Sequence, residues 1–478
     1  MAVLSSPTYS LQPAPEQVAL ATNYITNFDF LNQYLPDTYE KEFERYGNRT
    51  ISSFLRMVGA ELPSNSDLIK WAEQGRLHIK YTSVGTAATA TSDEALFQVN
   101  DTLTGNIGIR LGQTVMVVQN NGSGSNKGIV TDVDTANDQF TVAFYEAGGL
   151  VTAGTGVGNA DVTVFIYGSE FKKGTAGMTG SLEAEDEIFE NSPIIIKDKY
   201  AVNGSDMAQI GWVEVTTENG ASGYLWYLKS EHETRLRFDD YLETSMIEAV
   251  PAEAGSGVVN STLNPDFGNK GSEGVFYAVE QRGNIWGGGN PGSLQDFDTI
   301  IARLDKQGAI EENVLFVDRD FGFDIDDMLA TLNGYNGTGA ANSASFGLFD
   351  NDVDMALNLG FSGFRRAYDF YKTNWKYLND ITMRGGLPSG SGSGRVNGLL
   401  VPAGSTTVYD QILGKNAKRP YLHVRYRASE TEDRRYKTWI TGSAGGAMTS
   451  DLDAMEVHFL SERAVCTMGA NNFFLFQS

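Results

Sequence analysis

From Tyr224 to Val250 the sequence holds no glycine and no proline, and Leu225, Leu228, Leu236, Leu242, Met246 and Val250 fall near helical spacing. The pattern predicts one continuous helix, a rod of about 40 Å at ~1.5 Å rise per residue. That is much longer than the average helix of a globular domain. Pro251 and the Gly/Ser-rich Ala254–Gly257 mark its end.

Around the rod the character of the chain changes in blocks. Met1 to Pro15 is rich in Pro and Ser and has no regular period, which predicts an extended arm. Glu16 to Gln74 reads as short helices, with Ser64-Asn65-Ser66-Asp67 as an N-cap ahead of Leu68, Ile69, Trp71 and Ala72. After Gly75, Leu77–Tyr81 alternates, and Thr114–Val118, Gly128–Val130, Gln139–Phe144 and Val162–Ile166 are strand-like runs separated by Asn/Gly/Asp turns. Strands at that spacing predict an inserted small β-barrel over Ala95–Gly168. Such barrels can bind oligonucleotides, but that needs basic and aromatic residues on one face, and this stretch has few. Pro193–Val202 is a further long strand, with Asn203–Asp206 as its turn.

Gly274–Gly386 alternates strands (Gly274–Tyr277, Val314–Val317) with helices (Leu294–Lys306, Ile325–Leu332), the pattern of a compact α/β domain. Leu387–Gly394 reads as an exposed flexible loop. Beyond it Tyr421–Arg427 and Tyr436–Thr441 alternate, with Ser429–Asp433 as a charged hairpin tip, and Met455–Leu460 and Asn472–Phe476 are two more strands. No fixed-period repeat is present, which disfavours solenoids and propellers.

The 478 residues allow about two to four structural units. A formal charge of −24 argues against sequence-independent wrapping of nucleic acid, which needs Lys and Arg to displace counterions from phosphates. Cys466 is the single cysteine, so neither an intramolecular disulfide nor a cysteine-based zinc or iron–sulfur site can form within one chain. His78, His232, His423 and His458 lie far apart, none with a second ligand at metal-binding spacing, and each is read as structural. Met1–Gln17 lacks the basic and apolar regions of a signal peptide, and no apolar run approaches the ~20 residues of a membrane helix. The expectation is a chain made in the cytoplasm and free of membrane.

Gly287-Gly288-Gly289-Asn290-Pro291-Gly292 has the spacing of a dinucleotide fingerprint, but Gln281–Asn284 intervenes where a buried strand should run into the first glycine. It is read as a surface turn. Asp318, Asp320, Asp324, Asp326 and Asp327, and separately Asp350, Asp352 and Asp354, invite a calcium reading. At the sixth and twelfth positions of an EF-type loop the first cluster has Phe323 and Leu329 and the second Met355 and Phe361. Acids at a helix N-terminus are the preferred account of Asp324, Asp326 and Asp327. Gly390–Gly394 has glycine where the nucleophile of a Gly-x-Ser-x-Gly elbow belongs. No catalytic, cofactor-binding or metal residue is assigned, and no cofactor is expected.

Lys415, Lys418, Arg419, Arg425, Arg427, Arg434, Arg435 and Lys437 form a basic cluster unusual in so acidic a chain. In a strand, His423, Arg425 and Arg427 share one face, opposite Leu422, Val424 and Tyr426. The plain reading is a solvated sheet face. The functional one is ion pairing to acidic neighbours between subunits or contact with DNA, and the surplus of acid favours the former. With Lys197 and Lys199 of the long strand, Arg425, Arg427, Arg434 and Arg435 are the candidate subunit-interface residues.

The order of arm, long β excursion, long helix, α/β domain and terminal strands resembles the Hong Kong 97 fold of tailed-bacteriophage major capsid proteins. Ile194–Tyr200, Asn203–Asp206 and Gln209–Trp212 look like the descending excursion and helix approach of large podovirus shells, including crAss-like phages. Val401–Gly404, Ser461–Ala464 and Gly469–Phe473 look like their closing strands. The resemblance implies an α+β fold with an N-terminal arm and short helices over 1–76 and an E-loop excursion over 77–210 carrying the barrel at 95–168. It further implies a P-domain spine helix in 211–255, an A domain over 256–398 and returning β segments over 399–478.

It also implies a non-enzymatic virion protein, assembled in the host cytoplasm, that forms hexamers and pentamers of an icosahedral head. Partners would be its own copies, double-stranded DNA held without sequence preference, and auxiliary or head-fibre proteins and the portal. No lysine–asparagine crosslinking pair is identified. The alternatives are an encapsulin-type compartment shell, a glycan-binding, decoration or tail structural protein, and a nucleotide-dependent enzyme resting only on the Gly287 region.

Overall fold

The computed structural model describes residues 60–86, 93–99, 107–120, 124–147, 162–180, 186–208, 215–216, 222–223, 226–259, 269–334, 362–388, 394–410, 415–444, 446 and 448–477. The arm Met1–Pro15, the acids Asp350, Asp352 and Asp354 and most of the Leu387–Gly394 loop lie outside them. The fold is α+β, and the chain divides into two units, one of residues up to Lys70 and from Glu190 onward, the other Trp71–Phe189.

The first unit is built on two sheets. In one, the strand Ala454–Thr467 pairs along one edge with Ile194–Asn203 and along the other with Leu422–Arg427 and Lys437–Gly442, and Ala60–Ser64 adds in parallel to Leu422–Arg427. Fourteen residues at ~3.3 Å each make the central strand roughly 45 Å long. Helix α1 (Trp226–Glu248) lies on this sheet, inside the span the glycine-free run predicted. Its buried stripe is Thr234, Phe238, Leu242 and Met246, one residue every fourth position, so the side chains stack along one face. Phe238 meets Phe459 at 5.7 Å between ring centroids and Tyr436 edge-on at 5.4 Å, with Met455 and Val457 completing the contact.

The second sheet runs in the order Asn284–Trp286, Phe474–Gln477, Val396–Pro402, Glu312–Val317, Tyr368–Asn374, Gly363–Arg366. Helices α3 (Leu294–Gln307) and α4 (Arg319–Gly334) cover one face through Phe297, Ile300, Leu304, Phe321 and Ile325. Helix α2 (Val275–Arg282) is buried in a second cluster with Phe316, Leu399 and Leu475. Apolar packing on both faces explains why every residue of Val396–Pro402 is buried. Met246 and Ile247 of α1 belong to the same cluster as α2, so one core joins the end of the long helix to the second sheet.

The second unit is a closed barrel in the order Lys80–Thr86, Glu94–Val99, Gln139–Phe144, Ser125–Asp134, Gln113–Gln119, Val162–Ser169. Its interior is filled by alternating residues such as Val115, Val117, Val142 and Val164, around the stacked pair Phe97 and Phe140 at 5.5 Å. Gly128 sits where a Cβ would come within 2.4 Å of Val142 Cγ1 and 2.6 Å of the Ala143 carbonyl, so no larger residue fits there.

Several expectations are corrected. Ile69–Gln74 is a strand and not part of a short helix: Ser66 Oγ accepts from the Leu68 amide and donates to the Leu68 carbonyl, turning the chain before a helix can nucleate. The barrel begins at Lys80, upstream of the expected Ala95, because Lys80–Thr86 closes the sheet between Glu94–Val99 and Val162–Ser169. Val275–Tyr277 is helical: Val275, Phe276, Ala278 and Val279 are buried at helical spacing, and Gly274 lets α2 start against Ala249, whose carbonyl takes the Gly274 amide at 2.8 Å. Gly204–Met207 is a helical turn. Ser429–Asp433 is a tight charged turn, closed by the antiparallel bridge Ala428–Asp433 and by the Arg434 amide on the Arg427 carbonyl at 3.0 Å, but the flanking strands Leu422–Arg427 and Lys437–Gly442 do not go on to pair with each other. They follow one another along the same edge of Ala454–Thr467, which is long enough to serve both.

Candidate assembly surfaces

Side-chain alternation sorts the long sheet into two faces. Asp198 lies opposite Phe459, in the row that meets α1, and its carboxylate takes a bond from Arg237 Nε at 3.3 Å. Lys197 and Lys199 are therefore on the other face, exposed on the strand Ile194–Asn203, which ends the strand order of this sheet. Lys199 stands in register with His458, and His458 with Trp439. The His458 and Trp439 rings stack at 5.1 Å and 15°, Thr441 Oγ1 lies 2.7 Å from His458 Nε2, and Lys437 Nζ sits 6.0 Å above the Trp439 ring. Lys199 pairs with Glu456 at 3.1 Å, yet its side chain is 60% exposed, so that pair contributes about 0–1 kcal/mol. Ile195, on the same exposed face, is 53% exposed.

The arginines are differently placed. Arg434 Nε is 2.7 Å from Glu462, Arg427 is 3.9 Å from the same carboxylate and also pairs with Asp67. Arg435 pairs with Glu61 and lies 5.6 Å over the Tyr426 ring, while Arg463 reaches Glu61 at 3.6 Å. Two carboxylates, Glu61 and Glu462, thus hold four guanidinium groups within one chain. The sequence reading brought Arg427, Arg434 and Arg435 forward but passed over Glu61, Glu462 and Arg463; the only local signal was the Glu462-Arg463 doublet on a strand. Glu462 and Arg463 are buried and pair with partly exposed partners, so removing either leaves a partly desolvated charge without its partner and destabilises the fold. Substitution there reads out folding, whereas Lys197 and Lys199 can be changed without touching the core. Arg425 lies on the paired strand beside Ala464, half-buried, and Lys415, Lys418 and Arg419 have side chains outside the described residues.

Cys466 is buried two residues beyond Ala464, and burial pushes its thiol up to about 12, against the pull of Arg425. A thiol held protonated is a poor nucleophile. The acids of the Asp318 cluster serve the fold. Asp318 precedes α4 and accepts the Phe321 amide at 2.7 Å with Arg395 at 3.3 Å, Asp324 accepts from Asn290 at 2.7 Å, and Asp326 pairs with Lys372. Because α4 starts at Arg319, Asp324, Asp326 and Asp327 are in its body and not at its N-terminus, as the sequence had suggested. No group of three or more metal-ligating side chains occurs among the described residues. The Gly287–Gly292 segment leads into α3, whose first turn is closed by a capping box between Ser293 and Asp296, so a carboxylate already occupies the helix N-terminus.

No family model matches the chain, and no curated protein matches it. Among solved structures it is similar to one described as Microbacterium phage Oxtober96, at 10% identity over 94% of this chain and 96% of the other, with a TM-score of 0.38. It is similar to a cyanophage P-SCSP1u capsid structure at 9% identity, 65% and 80% coverage and a TM-score of 0.34. It is also similar to the SrpI encapsulin of Synechococcus elongatus PCC 7942 at 10% identity, 62% and 77% coverage and a TM-score of 0.32. Overlaps this loose assign neither a family nor a function.

Proposed function

We propose that this chain is the major capsid protein of a tailed bacteriophage, self-assembling into the hexamers and pentamers of an icosahedral head around double-stranded DNA. The observation that carries the reading is α1 lying along the fourteen-residue strand Ala454–Thr467 and sharing a core with an α/β sheet, while Trp71–Phe189 forms a unit of its own. In this reading the N-terminal arm lies within 1–76, ahead of the strand Ala60–Ser64, and 77–210 supplies the E-loop excursion, whose barrel is built by the strands from Lys80–Thr86 to Val162–Ser169. Residues 211–255 supply the spine, 256–398 the A domain and 399–478 the returning strands. A stiff helix-on-sheet body keeps its shape while the excursion and arm reach sister copies. Individual contacts can be weak, because each copy is held through several of them at once.

Lys197, Lys199, Arg425, Arg427, Arg434 and Arg435 remain the proposed subunit-interface residues. Lys197 and Lys199 are the best placed, since both are exposed and neither is needed for the core. Electron microscopy of the purified protein tests the proposal. Closed icosahedral shells are expected; trimers, fibres or a monomer at every concentration would overturn it. Shells filled with protein cargo instead of DNA during expression in the native host would favour a compartment shell.

A further inference from the structure

The barrel brings together residues that are scattered in sequence. Tyr145 and Tyr167, 51% and 49% exposed, lie on its surface with Phe171, and Lys127 Nζ stands 5.7 Å over the Tyr167 ring. The Tyr145 amide donates to the Lys127 carbonyl, and its hydroxyl donates to Glu170 at 2.5 Å, which anchors the first ring to the segment carrying Phe171, Lys172 and Lys173. Trp71–Phe189 has six Lys and Arg in all, and three of them, Lys127, Lys172 and Lys173, stand at or next to this patch against the two acids Glu146 and Glu170, one of which is bonded to Tyr145. Exposed tyrosine and phenylalanine rimmed by cations have the composition of a protein interface.

A matching surface exists on the same chain. Asp320, Phe323, Asp324 and Asp327 occupy positions i, i+3, i+4 and i+7 of α4 and are all exposed, while Phe321, Ile325, Met328 and Leu329 face the core. The result is an acidic stripe with a phenylalanine, 55% exposed, at its centre. An exposed aromatic ring between carboxylates complements exposed aromatic rings with a lysine over one of them.

We propose that the aromatic and basic face of the barrel, centred on Tyr145 and Tyr167, docks the Phe323 stripe of helix α4 from a second copy of this chain. The contact rests on the multi-copy reading above and names one of its interfaces. Charge complementarity selects the partner: Lys127, over the Tyr167 ring, and the neighbouring Lys172 and Lys173 meet Asp324 and Asp327, and Phe323 enters between the tyrosines.

Two single-cysteine additions test it, since Cys466 is buried and does not compete. Tyr167→Cys and Phe323→Cys are prepared as separate full-length proteins with different tags, assembled alone and mixed, and oxidised. The mixture is expected to give a crosslinked heterodimer band at least tenfold stronger than either protein alone, abolished by Lys172→Glu with Lys173→Glu. Adding Asp324→Lys and Asp327→Lys to that charge-reversed chain restores shell yield if the pairing is right. Normal wild-type shells with no crosslink in the mixture would overturn this contact and leave the capsid reading standing. Absence of shells from the wild type would overturn the capsid reading itself. Binding of a fluorescent oligothymidylate that the Lys172/Lys173 reversal abolishes, without any crosslink, would replace the docking surface by a nucleic-acid face.

Discussion

Replacing Phe238 by alanine probes the contact on which the body of the molecule is built. Phe238 is fully buried in α1, between Phe459 and Tyr436 and beside Leu242, Met455 and Val457. Deleting a buried phenyl ring costs about 3–5 kcal/mol in lost transfer energy and cavity. Two ring–ring contacts go with it, each worth ~0.5–1.5 kcal/mol beyond area, which places the change at the upper end of that range. For a unit this large each kcal/mol moves the melting point by roughly 2 °C, so a fall of about 8–10 °C is expected. Phe238→Leu keeps most of the volume and should lose about a third of that. Tyr241→Ala, on the same helix but 43% exposed, should shift stability by less than ~0.5 kcal/mol. Differential scanning calorimetry of the unassembled subunit is the assay, because a two-unit chain need not melt in one step. The transition of the Trp71–Phe189 barrel serves as an internal reference that Phe238→Ala leaves in place. Equal shifts for Phe238→Ala and Tyr241→Ala would refute the packing of the long helix on the sheet.

Burial raises the Asp318 carboxyl above its ordinary value of 3.8, outweighing the Phe321 amide and Arg395. The folded state then binds its proton more tightly than the unfolded one, so stability falls as pH rises from near 3.8 through the raised value, and Asp318→Asn should remove that slope. Melting curves of the two proteins across the acid range check the sign; parallel curves would contradict it. Cys466, with its thiol raised to about 12, should resist iodoacetamide at pH 8 in the native subunit and react fully in guanidinium, as read by mass spectrometry. Fast native labelling would mean that the strand Ala454–Thr467 opens locally. Deleting Met1–Pro15 should leave a subunit with unchanged calorimetry that no longer closes into shells; normal particles from the truncated chain would refute the lacing role of the arm.

The long helix was legible because its signal is local: uninterrupted residues of good propensity ending at a proline need no information from elsewhere in the chain. The same holds for α3, opened by Ser293 and closed by Gly308 in the left-handed conformation, and for the alternating barrel strands Gln113–Gln119 and Gln139–Phe144. Val275–Tyr277 and Ile69–Ala72 were misread because short apolar runs satisfy either period. Their conformation was chosen by what they pack on, the Ala249 end of α1 in one case and Asp186–Asn191 in the other. The hairpin at Ser429–Asp433 stops after the Ala428–Asp433 bridge for a related reason, since strand pairing depends on which edge is available, and Ala454–Thr467 offered one long enough for two consecutive strands.

Charge told the least at the level of sequence. Thirty-six cations and sixty acids fix the net sign, but not that Glu61 and Glu462 would each gather two arginines, or that Lys127 would stand over Tyr167. Those neighbours are separated by tens to hundreds of residues, and only the closing of sheet and barrel sets their distances. Electrostatic energy depends on distance and burial, neither of which a linear chain contains. The amino-acid order determined which segments would be stiff, extended or turning; the tertiary packing decided which charges are paired inside the chain and which are left on its surface.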